Sequence, residues 1–309
     1  MSSKLIICVA VIVLSAGALT QDQDKAESKA IAFLVREVPA WSTNNGCFSC
    51  HNNGDAARAL YVATKKGYKP GVGALSDTTD WLAMPAGWDS NKGDPGFSDK
   101  RLANIQFGAA LVAAFDTGRL PLSMTSIEEA AKKIAADQEA DGSWSIDLSN
   151  TTGSPATYGT PLATVMALKT LNRATSHTAR TAARSAEVWL RRLTPINIPV
   201  AAAITFVAPH RAATEFILKA QTRDGGWGPY ADSVPEAFDT ALALLSLAAS
   251  PREPRTQSAI RRGRAFLASI QNGDGSWPAT TRPTGGESYA QMISTTGWAT
   301  LALLETRGR

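Results

Sequence analysis

Alanine and leucine recur at helical spacing along most of this chain, and the breaks between those stretches carry Gly, Pro, Asn and Asp. An apolar residue every three or four positions marks an amphipathic helix. The strict alternation that marks a strand is weak throughout. The pattern predicts six helix pairs: 26–38 with 55–66, 74–82 with 100–117, 126–138 with 160–172, 179–193 with 198–207, 211–221 with 236–248, and 256–271 with 289–306. The second helix of a pair is the more apolar. Residues 162–168 and 240–247 are apolar nearly all round, as in helices buried on most sides. The first helices keep a charged face, as Arg261, Arg262 and Arg264 do opposite Ile260, Phe266 and Leu267. Six outer and six inner helices in alternation predict an all-α fold, an (α/α)6 toroid. An open solenoid is the alternative, but no polar capping repeat closes the C-terminal side.

Three heptapeptides of the form Q-x-x-D-G-[S/G]-W lie at the turn from outer to inner helix: 138–144, 221–227 and 271–277. Self-similarity of this kind signals an array of one supersecondary unit. Gly takes a positive φ and Asp bonds its own backbone, so Asp-Gly is turn chemistry. Gln reaches carbonyls left over at a helix end. Trp supplies the largest packing surface and pins the loop onto the neighbouring pair. The motif therefore reads as structural, with a tryptophan binding stripe as the alternative.

The first residues read as a secretory signal. Lys4 precedes an apolar run from Leu5 to Ala16, and Ala16-Gly17-Ala18 offers a cleavage site. Residues 1–18 would be removed, leaving a single domain over 19–309 without a membrane span, in the periplasm or outside the cell. An uncleaved N-terminal anchor is the alternative. Lys and Arg number 31 and Asp and Glu 27, a formal charge of +4. These charges are dispersed, and nothing points to nucleic acid. Beyond Cys8 in the signal, only Cys47 and Cys50 remain, which is no disulfide framework for a chain this long.

The heptapeptides, and the helix segment 264–267 before the third of them, resemble the QW repeats of squalene-hopene cyclases and related terpene cyclases. The paired helices also resemble protein prenyltransferase β-subunits. The resemblance is best over residues 125–306 and implies a toroid. It also implies, for activity, either a D-x-D-D motif or zinc held by Asp, Cys and His. The chain carries no D-x-D-D, since Asp77-Thr78-Thr79-Asp80 has another spacing, and no Cys or His is placed for zinc beside Asp239. Glu236 and Asp239, at the start of an inner helix, are the candidate acids left for a degenerate cyclase-like enzyme on an apolar isoprenoid. A lone acid there otherwise serves as a cap or dipole partner. Trp81, Trp88 and Trp298 are the tryptophans expected to line a pocket, a thin lining for carbocation chemistry.

Cys47-Phe48-Ser49-Cys50-His51 is C-x-x-C-H, the attachment signature of c-type haem: two thiols to add across the vinyl groups and an adjacent histidine for iron. Residues 41–53 are expected to form the outer-to-inner loop of the first pair, on the face that carries the heptapeptides. Met84, followed by Pro85 in the corresponding loop of pair two, is the candidate distal ligand of the haem iron, with Met292 second. His177 and His210 fall on the opposite face, about one helix length or roughly 15–25 Å away. The expected function is an exported toroid with covalent haem c, for electron transfer with a redox partner protein or for redox or ligand sensing. The alternatives are a binding or scaffold toroid with a Cys47–Cys50 disulfide, and the cyclase-like enzyme with an apolar small molecule in the barrel.

Overall fold

The computed structural model describes residues 25–91, 99–118, 122–146, 152–280, 282 and 288–309. The segment 1–18 lies outside them. Twelve α-helices are described: α1 (25–45), α2 (Ala57–Lys65), α3 (Ser76–Leu82), α4 (Lys100–Phe115), α5 (Met124–Ala136), α6 (Thr160–Leu171), α7 (His177–Arg191), α8 (Ile198–Val207), α9 (Arg211–Lys219), α10 (Ala237–Ala249), α11 (Pro254–Ser269) and α12 (Tyr289–Glu305). No strand occurs among the described residues. They form the six expected pairs. The even-numbered helices line the centre, each touching the next, and α12 returns to α2 to close the ring.

Inner and outer roles follow from composition. In α8, Ile198 through Thr205 are all buried, and α12 is buried from Ile293 to Leu304. The outer helix α7 buries only Ala179, Ala182, Ala183, Ala186 and Leu190, one stripe at helical spacing. Caps fix several starts: Ser123 accepts from the Ser126 amide at α5, and Ser176 from Ala179 at α7. The cap of α5 is thus Ser123, ahead of the expected start at Ser126.

The three heptapeptides are one device used three times. Gln138, Gln221 and Gln271 donate through Nε2 to the carbonyl of their own turn glycine and to a second carbonyl on the next outer helix. Those second acceptors are Ala182, Ala259 and Ala26, all at 2.9 Å. The glutamine therefore straps one pair to the next, where a helix end was the expected acceptor. Trp144, Trp227 and Trp277 are fully buried and donate to Ile134, Ile217 and Leu267 at the end of their own outer helix. Their amides donate to Thr164, Thr240 and Thr296 on their own inner helix. Tryptophan is therefore mainly the tie within a pair, although Trp227 also packs on Gly263 of α11. Asp141 and Asp274 accept from the amide and hydroxyl of Ser143 and Ser276, as expected.

The third strap crosses the seam between the last pair and α1. A polar clasp reinforces it: buried Glu27 meets Arg307 at 2.8 Å and accepts from the Tyr68 hydroxyl at 2.7 Å. Gln271→Ala should cost about 1–2 kcal/mol for two lost, half-buried hydrogen bonds, read from the denaturation midpoint. An unchanged midpoint would remove the strap from the account of ring closure.

Candidate functional site

The first pair departs from the heptapeptide plan. A loop over 41–53 was expected, but α1 continues through Trp41 to residue 45. Pro39 lies inside this helix without breaking it. Ser42 and Thr43 donate their hydroxyls back to the Pro39 carbonyl, and Asn45 donates to that of Trp41. Gly46, at φ 68°, ends the helix. The connection is thus only a few residues long. The inner helix begins at Cys50 as a π-helical turn, Cys50–Ala56, that runs into α2. Ser49 caps it, its hydroxyl accepting from the His51 and Asn52 amides. Such turns are rare and recur at functional sites.

Polar side chains fix the motif in place. Asn52 donates to the Glu37 carbonyl and to the Tyr289 hydroxyl at 2.9 and 3.0 Å. Asn53 donates to Thr78 and accepts from the Ser49 amide. Phe48, between the two cysteines, stacks on Trp81 with centroids 4.6 Å apart, and Asn91 bonds both its amide and its carbonyl. Trp81 and Asn91 bracket Met84 in sequence, so the segment carrying Met84 is held beside the motif. Met84 itself is exposed. Met292, in the first turn of α12, is half-buried on the core. His210 caps α9 through Nδ1, and His177 is exposed at the start of α7.

His51 Nδ1 lies 2.9 Å from the Ser294 hydroxyl of α12, and Nε2 engages no other described group. Burial lowers the imidazole pKa, with Asp55 opposing, which favours the neutral form that binds metals. Cys47 is buried, Cys50 is half-buried, and no disulfide joins them. Burial, aided by Asp55, pushes the Cys50 thiol up to about 12. In the folded, haem-free chain, Cys50 should therefore alkylate with iodoacetamide at pH 8 about tenfold or more slowly than in urea, because the thiolate reacts. Equal rates would contradict the burial of this thiol. The donor set of two thiols and one oriented imidazole fits a c-type haem.

Beneath His51 lies a polar cluster that sequence reasoning missed. Asp55 is buried and accepts from Gln106 at 2.8 Å and from the Tyr158 hydroxyl. Arg58 approaches it to 3.8 Å and covers the Trp298 ring at 4.2 Å. Tyr158 holds φ at 60°, a costly conformation for an aromatic residue. Gly153 permits it, since a side chain there would meet the Tyr158 carbonyl at 2.3 Å. Burial raises the Tyr158 pKa, so its hydroxyl stays a donor. Trp298 also meets Tyr158 and Phe238 edge-on, whereas Trp88 is buried and donates to the Trp81 carbonyl.

Glu236 and Asp239 do come together, but around Arg282. Its guanidinium bonds both Asp239 oxygens, at 2.9 and 3.3 Å, and meets Glu236. Burial alone would raise the Asp239 pKa. The guanidinium at hydrogen-bond distance from both oxygens opposes that shift. Arg282 stands 43 residues downstream of Asp239, too far for local pattern to reveal. Among the described residues no group of three or more His, Cys, Asp or Glu is gathered for a metal ion, and no helix is long and apolar enough to cross a membrane.

Residues 204–308 match the squalene-hopene cyclase C-terminal domain family. The chain is 31% identical over 116 residues to squalene–hopene cyclase of Zymomonas mobilis, and 34% over 99 residues to lanosterol synthase ERG7 of Saccharomyces cerevisiae. These matches take in 35% and 30% of this chain but only 17% and 13% of those two proteins. A variant of the type II terpene cyclase MstE from Scytonema, in complex with geranylgeranyl dihydroxybenzoate, superimposes with a TM-score of 0.58 at 13% identity, covering 94% of this chain and 98% of that one. A protein from Actinoplanes gives 0.59 at 15% identity, covering 92% and 99%. The fold is that of the terpene-cyclase-like toroids.

Proposed function

We propose that this terpene-cyclase-like toroid is an exported carrier of one covalent c-type haem, serving electron transfer with a redox partner protein or ligand sensing. The observation that carries the reading is the His51–Ser294 contact. Metal-binding histidines have their second ring nitrogen tied by an outer partner, which sets tautomer and ring direction. Here Nδ1 is tied and Nε2 is left for iron, directly after the two thiols that would form the thioethers. When bound, the haem would supply a one-electron iron centre. The chain's own part is to hold it. Ser49, Asn52 and Asn53 fix the turn, Phe48 and Trp81 anchor the loop, and Met84 would offer a thioether to the iron.

The cyclase-like alternative needs a carboxyl group that carries a proton. Both candidate acids are instead bonded to one guanidinium, that of Arg282, which counts against it.

The test is absorption and pyridine haemochrome analysis of the full chain exported with a cytochrome c maturation system. A c-type spectrum, lost in Cys47→Ala or Cys50→Ala, is expected. Ser294→Ala should keep the covalent haem but shift its midpoint potential. A colourless, folded product would overturn the reading and leave the binding or scaffold toroid.

A further inference from the structure

Pair four differs from pairs three, five and six in its outer-to-inner turn. Pairs three, five and six each fill their turn with a heptapeptide, whereas α7 and α8 are joined by residues 192–197 alone. Beside that short connection lies a cavity of about 730 Å³. Its volume falls within the range of small-molecule sites.

The wall divides by chemistry. Trp189, Leu193, Ile196 and Tyr230 supply an apolar surface, together with the prolines that open α6 and α8. Trp189 is held in place by its Nε1, which donates to Asp141 at 3.0 Å. Ile196 is 64% exposed, an unusual position for an isoleucine without a partner. The one charged residue in the described lining is Arg192, which has no ion-pair partner among the described residues. Asn197 is only 6% exposed. Its Oδ1 is used by the Val200 amide, and its Nδ2 donates to no described atom. The N-terminal ends of α6 and α8, both carrying partial positive charge, flank the same space. No Asp or Glu is among the described residues of the lining.

We propose that this cavity binds a small monocarboxylate with an apolar tail, its head at Arg192 and Asn197 and its tail along Trp189, Leu193 and Ile196. An apolar wall alone would accept a neutral hydrocarbon. Arg192, the unspent amide donor of Asn197 and two positive helix ends select an anion. The inference is independent of the haem at Cys47, Cys50 and His51, and it concerns a site that a colourless chain would also contain.

The experiment is calorimetric titration of the full-length chain with decanoate, below its micelle concentration, with decanol and acetate as comparators. Decanoate should bind once per chain. Decanol should bind about tenfold more weakly, and Arg192→Gln should weaken decanoate by about tenfold while leaving decanol unchanged. Ile196→Glu, at an exposed position that the fold tolerates, should abolish decanoate binding. Absence of decanoate binding, or binding that both variants leave unchanged, would overturn the proposal. So would equal affinity for decanol, or sedimentation with anionic phospholipid vesicles without binding of free decanoate, which would assign the surface to a membrane.

Discussion

Asp55→Ala should destabilise the folded chain by about 3–5 kcal/mol, the usual consequence of stripping a buried charge of its partner. Arg58 is 5% exposed. Its neighbours are the Met166 sulfur at 3.5 Å, the Trp298 ring, and Asp55. Nε and NH2 have no hydrogen-bond partner. A ring face and a thioether offset a cation only weakly compared with a carboxylate, so removing Asp55 leaves the guanidinium uncompensated in the middle of the toroid. Tyr158 and Gln106 would lose their acceptor as well. The double variant Asp55→Ala with Arg58→Met should return most of the loss, because an apolar side chain of similar length needs no counter-charge. Urea unfolding of the two single variants and the double variant gives the coupling. If Asp55→Ala and the double variant are equally destabilised, the pair is not coupled and the cost comes from the Tyr158 and Gln106 contacts.

That cluster also marks where sequence reading stops. The six pairs were legible because each helix carries its own apolar stripe and its own breaks, all local signals. The heptapeptides were legible for the same reason, as were the roles of Asp141 and Asp274. What stayed hidden is long-range. Nothing near Gln138 says that its second acceptor is Ala182, 44 residues on. Nothing near Asp55 points to Tyr158, 103 residues away. The spacing of Asp55 and Arg58, one turn apart on a helix read as buried, was the one local hint of a charged pair. The extension of α1 to residue 45 was missed because Pro39 and the polar run after it look like a loop. The polar residues of that run instead turn their side chains back onto the helix, Ser42 and Thr43 to the Pro39 carbonyl and Asn45 to that of Trp41. In the candidate haem site, the motif named Cys47, Cys50 and His51, but Ser294, the residue that orients the imidazole, came only from closure of the ring.

Closure also predicts an asymmetry between two neighbouring glycines. Gly275→Ala should cost about 2–4 kcal/mol, the sum of strain at a left-handed residue and displacement of packed backbone, whereas Gly273→Ala should be nearly neutral. Gly275 sits at φ 99°, and a Cβ there would stand 2.4 Å from the Lys29 carbonyl oxygen of α1. That oxygen belongs to helical backbone and cannot swing aside as a side chain would, so α1 itself must move. Gly273 would meet nothing within 4 Å and has no positive φ. The same contact recurs at Gly142 on Ser185 and Gly225 on Arg262, at 2.5 and 2.7 Å. Those two glycines join pairs that are consecutive in sequence, so a shift there leaves the chain connection to hold the neighbours together. At Gly275 the neighbours are the last pair and the first, joined by no local link. The Gln271 strap, the Glu27 clasp, the Asn52–Tyr289 and His51–Ser294 contacts and inner-helix packing are what resist opening. Thermal unfolding of the two variants, with proteolysis to detect a loosened α1, decides the matter. Equal melting temperatures would mean that the turn relaxes without loss and that the seam is held by the inner helices alone.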